Sequence, residues 1–336
     1  MDGICTLAND RVYDQLVALL NSIEVILGKD FPVCVFPYDE QTERVAAEIA
    51  RRPNVKLYSD WASIERWEAF ARAAWDTHPT AFERWKIPQG QGYYRMGMHR
   101  RFCAFDGPFD RFIYMDADTL LLDSVDFFFS PLDQYDCVVY DYQFKDITHV
   151  YENKSPKLTE IFSAERLETE IFCAGVYASK KGIFNDEHKA ELIHQLKAGE
   201  AEILYPLAPD QTLVNYMMMR ASHPIYNYAF HISKEKRVGN CVTSLDFVER
   251  DHLLYDKGYR IPYLHYIGLS SQLFNQACAG VNIDFPYRNL FLYYRYLHEP
   301  EKRPRFTTEP VWYIKSPSLV ERLRKKLSEI RNLVLR

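Results

Sequence analysis

Short apolar runs alternate with stretches of helical spacing through the first part of the chain. GICTLA (3–8) is a continuous apolar run and predicts a buried strand. In DRVYDQLVALLNSIEVIL (10–27), Val12, Leu16, Leu19, Leu20, Ile23, Ile26 and Leu27 recur at helical spacing, with Asp10 placed to cap that helix. FPVCVF (31–36) then reads as a second strand, EQTERVAAEIARR (40–52) as a second helix and NVKLY (54–58) as a third strand. Strand–helix alternation of this kind implies a mainly parallel sheet with helices on both faces, a doubly wound α/β architecture.

Residues 61–105 are helix-rich, interrupted by KIPQGQG (86–92), whose Pro and Gly mark a loop before the helix YYRMGMHRRFCAF (93–105). RFIYM (111–115), YDCVVYDYQF (135–144) and IFCAGVYAS (171–179) read as further strands, with an inserted helical or loop segment at 145–170. DQTLVNYMMM (210–219) is helical, and RIPYLHYIGL (260–269) is a late strand-like run. No repeat, low-complexity tract or dividing linker appears. The final stretch, 316–336, is an amphipathic helix with Val320, Leu323, Leu327, Ile330 and Val334 on one side and Arg322, Arg324, Lys325, Lys326 and Arg331 elsewhere. Such a helix packs on its own domain or on a second subunit, as in a homodimer, or lies on an anionic membrane near a lipid-linked acceptor.

At 336 residues, 47% hydrophobic and 26% charged, the chain has the composition of an ordinary globular protein. Its net charge of −5 supplies no global basic field, so nucleic acid is not an expected partner. Seven scattered cysteines without a CxxC pair point to reduced thiols and a cytoplasmic location, not to a disulfide frame or zinc site. The N-terminus reads as strand rather than signal peptide, and no apolar run approaches the roughly 20 residues that span a bilayer. A soluble or peripheral protein is expected.

The chemistry concentrates in RFIYMDADTLLLD (111–123). Asp116 and Asp118 stand directly behind an apolar strand, and two carboxylates that close repel unless the turn is solvated or a cation sits between them. The carboxyl end of a central strand is where open α/β sheets bind ligands. A divalent ion held there would grip a diphosphate.

This segment resembles the GT-A glycosyltransferases, especially the retaining family 8 group of glycogenin and bacterial galactosyltransferases, and four other segments agree in order. TLANDRVYDQLVALLNSI (6–23) is similar to the family's opening strand and uridine-binding loop, which implies Thr6 and Asn9 or Asp10 on base and ribose and Tyr13 stacked on uracil. The basic run before the metal strand implies an arginine on the diphosphate or donor sugar, Arg100 first and Arg95 second. FCAGVYAS (172–179) is similar to the family's FNSGV strand, with Cys173 in place of Asn and with Gly175 allowing close backbone approach. PDQTLVNYMM (209–218) implies Asp210 and Gln211 beside the anomeric carbon, although Pro-Asp before an apolar helix is also a plain N-cap.

LHYIGLSS (264–271) matches a metal-binding His motif through His265, Tyr266 and Gly268, while Ser271, Gln272 and Leu273 replace the expected Lys-Pro-Trp. The resemblance covers roughly residues 3–275. It implies a GT-A, Rossmann-like, mixed and mainly parallel sheet flanked by helices over 1–275, with a helical extension over 276–336. Asp116, Asp118 and His265 would hold Mn²⁺, with Mg²⁺ as the alternative; Ala117 and Gly268 would join the nucleotide contacts, and Asp116 would also meet the ribose. The implied activity is transfer of a sugar from a UDP-sugar donor to a carbohydrate, lipid-linked or protein acceptor, with retention. Two rivals stand beside it. One is a non-catalytic nucleotide-sugar-binding or scaffold protein on the same fold, and the other an inverting enzyme with Asp210 or Asp141 as base.

Overall fold

The computed structural model describes residues 1–141, 147–152 and 154–313. The amphipathic helix expected at 316–336 lies outside the described residues. No helix among the described residues is long and apolar enough to cross a membrane.

The central sheet is built from β1 (Asp2–Ala8), β2 (Val33–Pro37), β3 (Val55–Leu57) and β4 (Arg111–Met115), with a short β5 (Thr119–Leu121) leaving its end. Then follow β6 (Cys137–Val139), β7 (Val176–Lys180) and β8 (Ile225–Asn227). Strand order is β3-β2-β1-β4-β7-β6-β8. The pairs β3–β2, β2–β1, β1–β4 and β6–β8 are parallel, whereas β7 runs antiparallel to both β4 and β6. The sheet is therefore mixed and mainly parallel, as the strand–helix alternation predicts.

Both faces are covered, and the period of two along each strand divides the core. Ile4, Ile113 and Met115 face one apolar layer with Leu16, Leu19, Leu20 and Ile23 of α1 (Tyr13–Leu27). Cys5, Leu7, Phe112 and Tyr114 face the other, with Trp67, Phe70 and Trp75 of α3 (Trp61–Trp75), which follows α2 (Glu43–Ile49). The helix Arg288–Arg295 joins the first layer, burying Leu290, Phe291, Leu292 and Tyr294 there.

A second, antiparallel unit matters more for the site. Beyond the ribbon β9 (Val248–Arg250), β10 (Leu253–Asp256) and β11 (Tyr259–Arg260), the strand β12 (Tyr263–His265) pairs with β5. This register sets His265 opposite Thr119.

Three local expectations are corrected. The helix expected over 93–105 spans only residues 96–105 and is a 3₁₀ helix, so its side chains repeat every three residues and the facing of each arginine follows that spacing. The strand expected over 171–179 begins only at Val176, and 171–175 run as an irregular loop. Asp10 does not cap the helix that follows it: its carboxylate accepts from the backbone N–H groups of Arg44 and Val45 at 3.1 and 3.0 Å, capping α2 instead. Four cysteines are buried and three partly so, and all are free thiols, as expected.

Candidate metal and nucleotide site

The site forms where β4 stops. The backbone turns at residues 116–118, with Thr119 N–H donating to the Asp116 carbonyl at 3.1 Å. The Thr119 hydroxyl donates to the same oxygen. Asp116 N–H donates to the Gly175 carbonyl at 2.8 Å, which continues the β4–β7 ladder one step past the strand. From the other side, Tyr266 N–H donates to the Asp118 carbonyl at 2.9 Å and His265 N–H to Asn240 at 2.8 Å. Two independent strand registers thus bring residues from distant parts of the chain to one point.

There, His265 Nε2 lies 3.4 Å from Asp118 Oδ1 and 4.0 Å from Asp116 Oδ2. One ligand atom from each of the three residues falls within a 4.8 Å circle of the others. Two carboxylates and an imidazole are a donor set suited to a divalent cation. The expected trio converges.

Gly175 is required by this convergence. A β-carbon on residue 175 would sit 2.3 Å from His265 Cε1, so any side chain there displaces the imidazole. Gly175→Ala is expected to weaken Mn²⁺ binding about 10–100-fold, the usual range for disturbing a ligand's supporting shell. A Mn²⁺ titration of the variant checks it.

The arginine beside the aspartates is Arg101. The resemblance placed Arg100 first, but Arg100 turns to α3: its Nε donates to Glu68 at 2.7 Å and its Nη1 to the Pro37 carbonyl at 3.1 Å. Arg101, 1% exposed, bonds Asp116 at 2.9 Å, pairs with Asp210 at 3.1 Å and donates to the Ala174 carbonyl at 2.7 Å. Burial would lower the Arg101 pKa, yet Asp116 and then Asp210 outweigh it and hold the guanidinium charged. Burial also raises the Asp116 pKa, and Arg101 pulls it only part of the way back. Asp118 behaves oppositely: burial pushes its pKa up, but the charge and hydrogen bond of His265 overcome this and hold it low. For His265, burial disfavours the cation, but Asp118 and then Cys173 raise its pKa well above the ordinary value. Without a metal, then, a proton on His265 partly neutralises the pair.

Asp210 opens the helix Pro209–Arg220 and joins this network through Arg101. Gln211 braces the loop before β7, its Oε1 accepting from Ala174 N–H at 3.1 Å and its Nε2 donating to His149 at 3.0 Å. A cavity of about 700 Å³ opens beside Asp116, Ala117 and Asp118 and extends past Asn9, Gln15, Tyr38, Asp39, Tyr94 and Arg95. A smaller cavity of about 160 Å³ lies at His265, lined among others by Asp141, Cys173, Asn240 and Tyr263. Of the other expected contacts, Asn9 and Arg95 line the large cavity, while Thr6 is fully buried in β1. Tyr13 does not line it. Its hydroxyl bonds Glu48 at 3.2 Å and its ring lies between Arg44 and Arg295. Gly268 takes φ +78°, a conformation that favours glycine, in the turn after β12.

No protein-family model matches the sequence, and no curated protein sequence matches it. Solved structures do match. The apo structure of the bifunctional glycosyltransferase WbbM superposes over 90% of this chain at 15% identity and a TM-score of 0.50, this chain spanning 51% of that one. The galactosyltransferase LgtC, in complex with donor and acceptor sugar analogs, aligns over 92% of this chain and 98% of its own at 16% identity and a TM-score of 0.49. Mouse xyloside xylosyltransferase 1 aligns over 68% of this chain and 85% of its own at 11% identity and 0.46. The likeness to WbbM shows the fold, which is that of the GT-A glycosyltransferases.

Proposed function

We propose that this chain is a metal-dependent glycosyltransferase of the family 8 kind that takes a UDP-sugar donor and retains the anomeric configuration. The observation that supports it is the convergence of Asp116, Asp118 and His265, with both aspartates lining a cavity large enough for a nucleoside diphosphate. These three residues would hold Mn²⁺, or Mg²⁺ in its place. A cation bound there supplies positive charge for the diphosphate leaving group.

The chain's own residues do the rest. Arg101 fixes Asp116 and Asp210 in one orientation, so the carboxylate shared with the metal site cannot swing away. Arg95, on the cavity wall, offers planar donors to the diphosphate, replacing the lysine absent at Ser271–Leu273. The smaller cavity beside His265 takes the sugar at the reacting centre, next to Cys173 and Asp141. Asp210 pairs with Arg101 and Gln211 braces the loop at Ala174, so the two position the site from behind that loop.

The experiment is UDP release from a panel of UDP-sugars with and without Mn²⁺. Metal-dependent release from at least one donor is expected. Metal-dependent UDP binding with no release from any donor would instead assign a binding or scaffold role. Proton NMR of the anomeric linkage reads retention against inversion.

A further inference from the structure

Residues two apart along a strand share a face, so Tyr114, one residue from the end of β4, lies on the same side as Asp116. Its hydroxyl donates to Asp116 Oδ1 at 2.9 Å. Arg101 Nη2 donates to that same oxygen, also at 2.9 Å. The other oxygen, Oδ2, is the one that faces His265, at 4.0 Å. The carboxylate is thus divided: one oxygen is held by the protein and the other is turned toward the imidazole.

The phenol is itself fixed by packing. Tyr114 is fully buried and stands opposite Tyr177 in the antiparallel β4–β7 register, the two rings stacking at 5.5 Å with 26° between their planes. The Arg101 guanidinium lies over the Tyr114 ring at 4.5 Å. The hydroxyl of Tyr177, by contrast, is buried with no hydrogen-bond partner among the described residues. Two neighbouring tyrosines of one layer therefore differ in what their hydroxyls reach.

We infer that Tyr114 is a positioning residue for the cation, an inference that rests on the metal-site reading above. The terminal torsion of an aspartate has a broad potential, so the plane of the Asp116 carboxylate is set by its hydrogen bonds and not by its own rotamer. Arg101 alone sets it loosely, because that guanidinium also answers to Asp210 and to the Ala174 carbonyl. The Tyr114 hydroxyl, carried on a clamped ring, is the donor that serves Asp116 alone. It orients Oδ2 before a cation arrives, and a ligand oriented in advance loses less freedom on binding. Tyr114 acts through Asp116 and not on the substrate.

The test is a pair of like substitutions in the full chain, Tyr114→Phe and Tyr177→Phe, each removing one buried hydroxyl and keeping its ring. The readouts are a Mn²⁺ titration, the electron paramagnetic resonance spectrum of the bound ion and the thermal midpoint. Tyr114→Phe should weaken Mn²⁺ binding about 10–100-fold, the range for losing a ligand's outer partner, and should alter the bound-ion spectrum. Tyr177→Phe should leave both as they are. Both variants should still unfold cooperatively, since the rings and the Arg101 contact to Asp116 remain. Unchanged Mn²⁺ affinity in Tyr114→Phe, or an equal fall in the two variants, would overturn the role of Tyr114. Failure of the unmodified chain to bind Mn²⁺ would overturn the metal-site reading itself.

Discussion

Arg101→Leu is expected to lower stability by about 3–5 kcal/mol in denaturant unfolding, the cost typical of removing one partner from a buried ion pair. The guanidinium is 1% exposed and neutralises Asp116 and Asp210 together, and without it both carboxylates lose the charge that they share. Arg101→Lys keeps the charge but not the fork that reaches Asp116, Asp210 and the Ala174 carbonyl at once, so it should fall between the leucine variant and the unmodified protein. Asp210→Asn should recover part of the loss in the leucine background, which a double-mutant cycle measures. Additive losses would show that the two side chains are not coupled. Arg100→Ala, by contrast, breaks the Glu68 contact and should leave Mn²⁺ affinity unaltered.

The second large effect is on pH. The folded-state pKa of His265 is raised: burial opposes this, but Asp118 prevails. Its contribution to stability is therefore complete below the unfolded value of about 6.5 and is lost as pH rises through the higher folded value. Asp118, whose pKa is lowered, adds stability that disappears only in acid, on the other side of this window. A metal needs the neutral imidazole, so binding expels the proton and affinity rises with pH by up to about tenfold per unit. Between about pH 6 and pH 9, the thermal midpoint without metal should fall while the gain from added Mn²⁺ grows. A Mn²⁺ gain independent of pH would remove His265 from the site.

Much of this was legible in the sequence, and the gaps have physical causes. RFIYM followed by Asp-Ala-Asp marks a strand end because the apolar run FIYM stops at charge, and β4 ends there, at Met115. His265 and Gly175 were legible only through resemblance, since the registers that join them to Asp118 and Asp116 depend on pairing across the fold. The direction of β7 was hidden, because a buried strand has the same apolar pattern in either sense. Arg100 and Arg101 are adjacent on a 3₁₀ turn, and what separates them is Glu68 on α3, a partner that no local pattern reveals. Asp10 shows the same limit: its N–H partners lie on α2. Gln15 sits beside Leu16 in an amphipathic helix, and only the packed structure shows that its Oε1 is buried without a partner among the described residues.

The most direct measurement is a Mn²⁺ titration in the presence of UDP, with free Mn²⁺ followed by electron paramagnetic resonance. A single tight ion per chain is expected, weakened at least tenfold in Asp118→Asn and in His265→Ala while both variants still unfold cooperatively. Unchanged stoichiometry and affinity in those two variants would show that the aspartates and the imidazole do not share a cation.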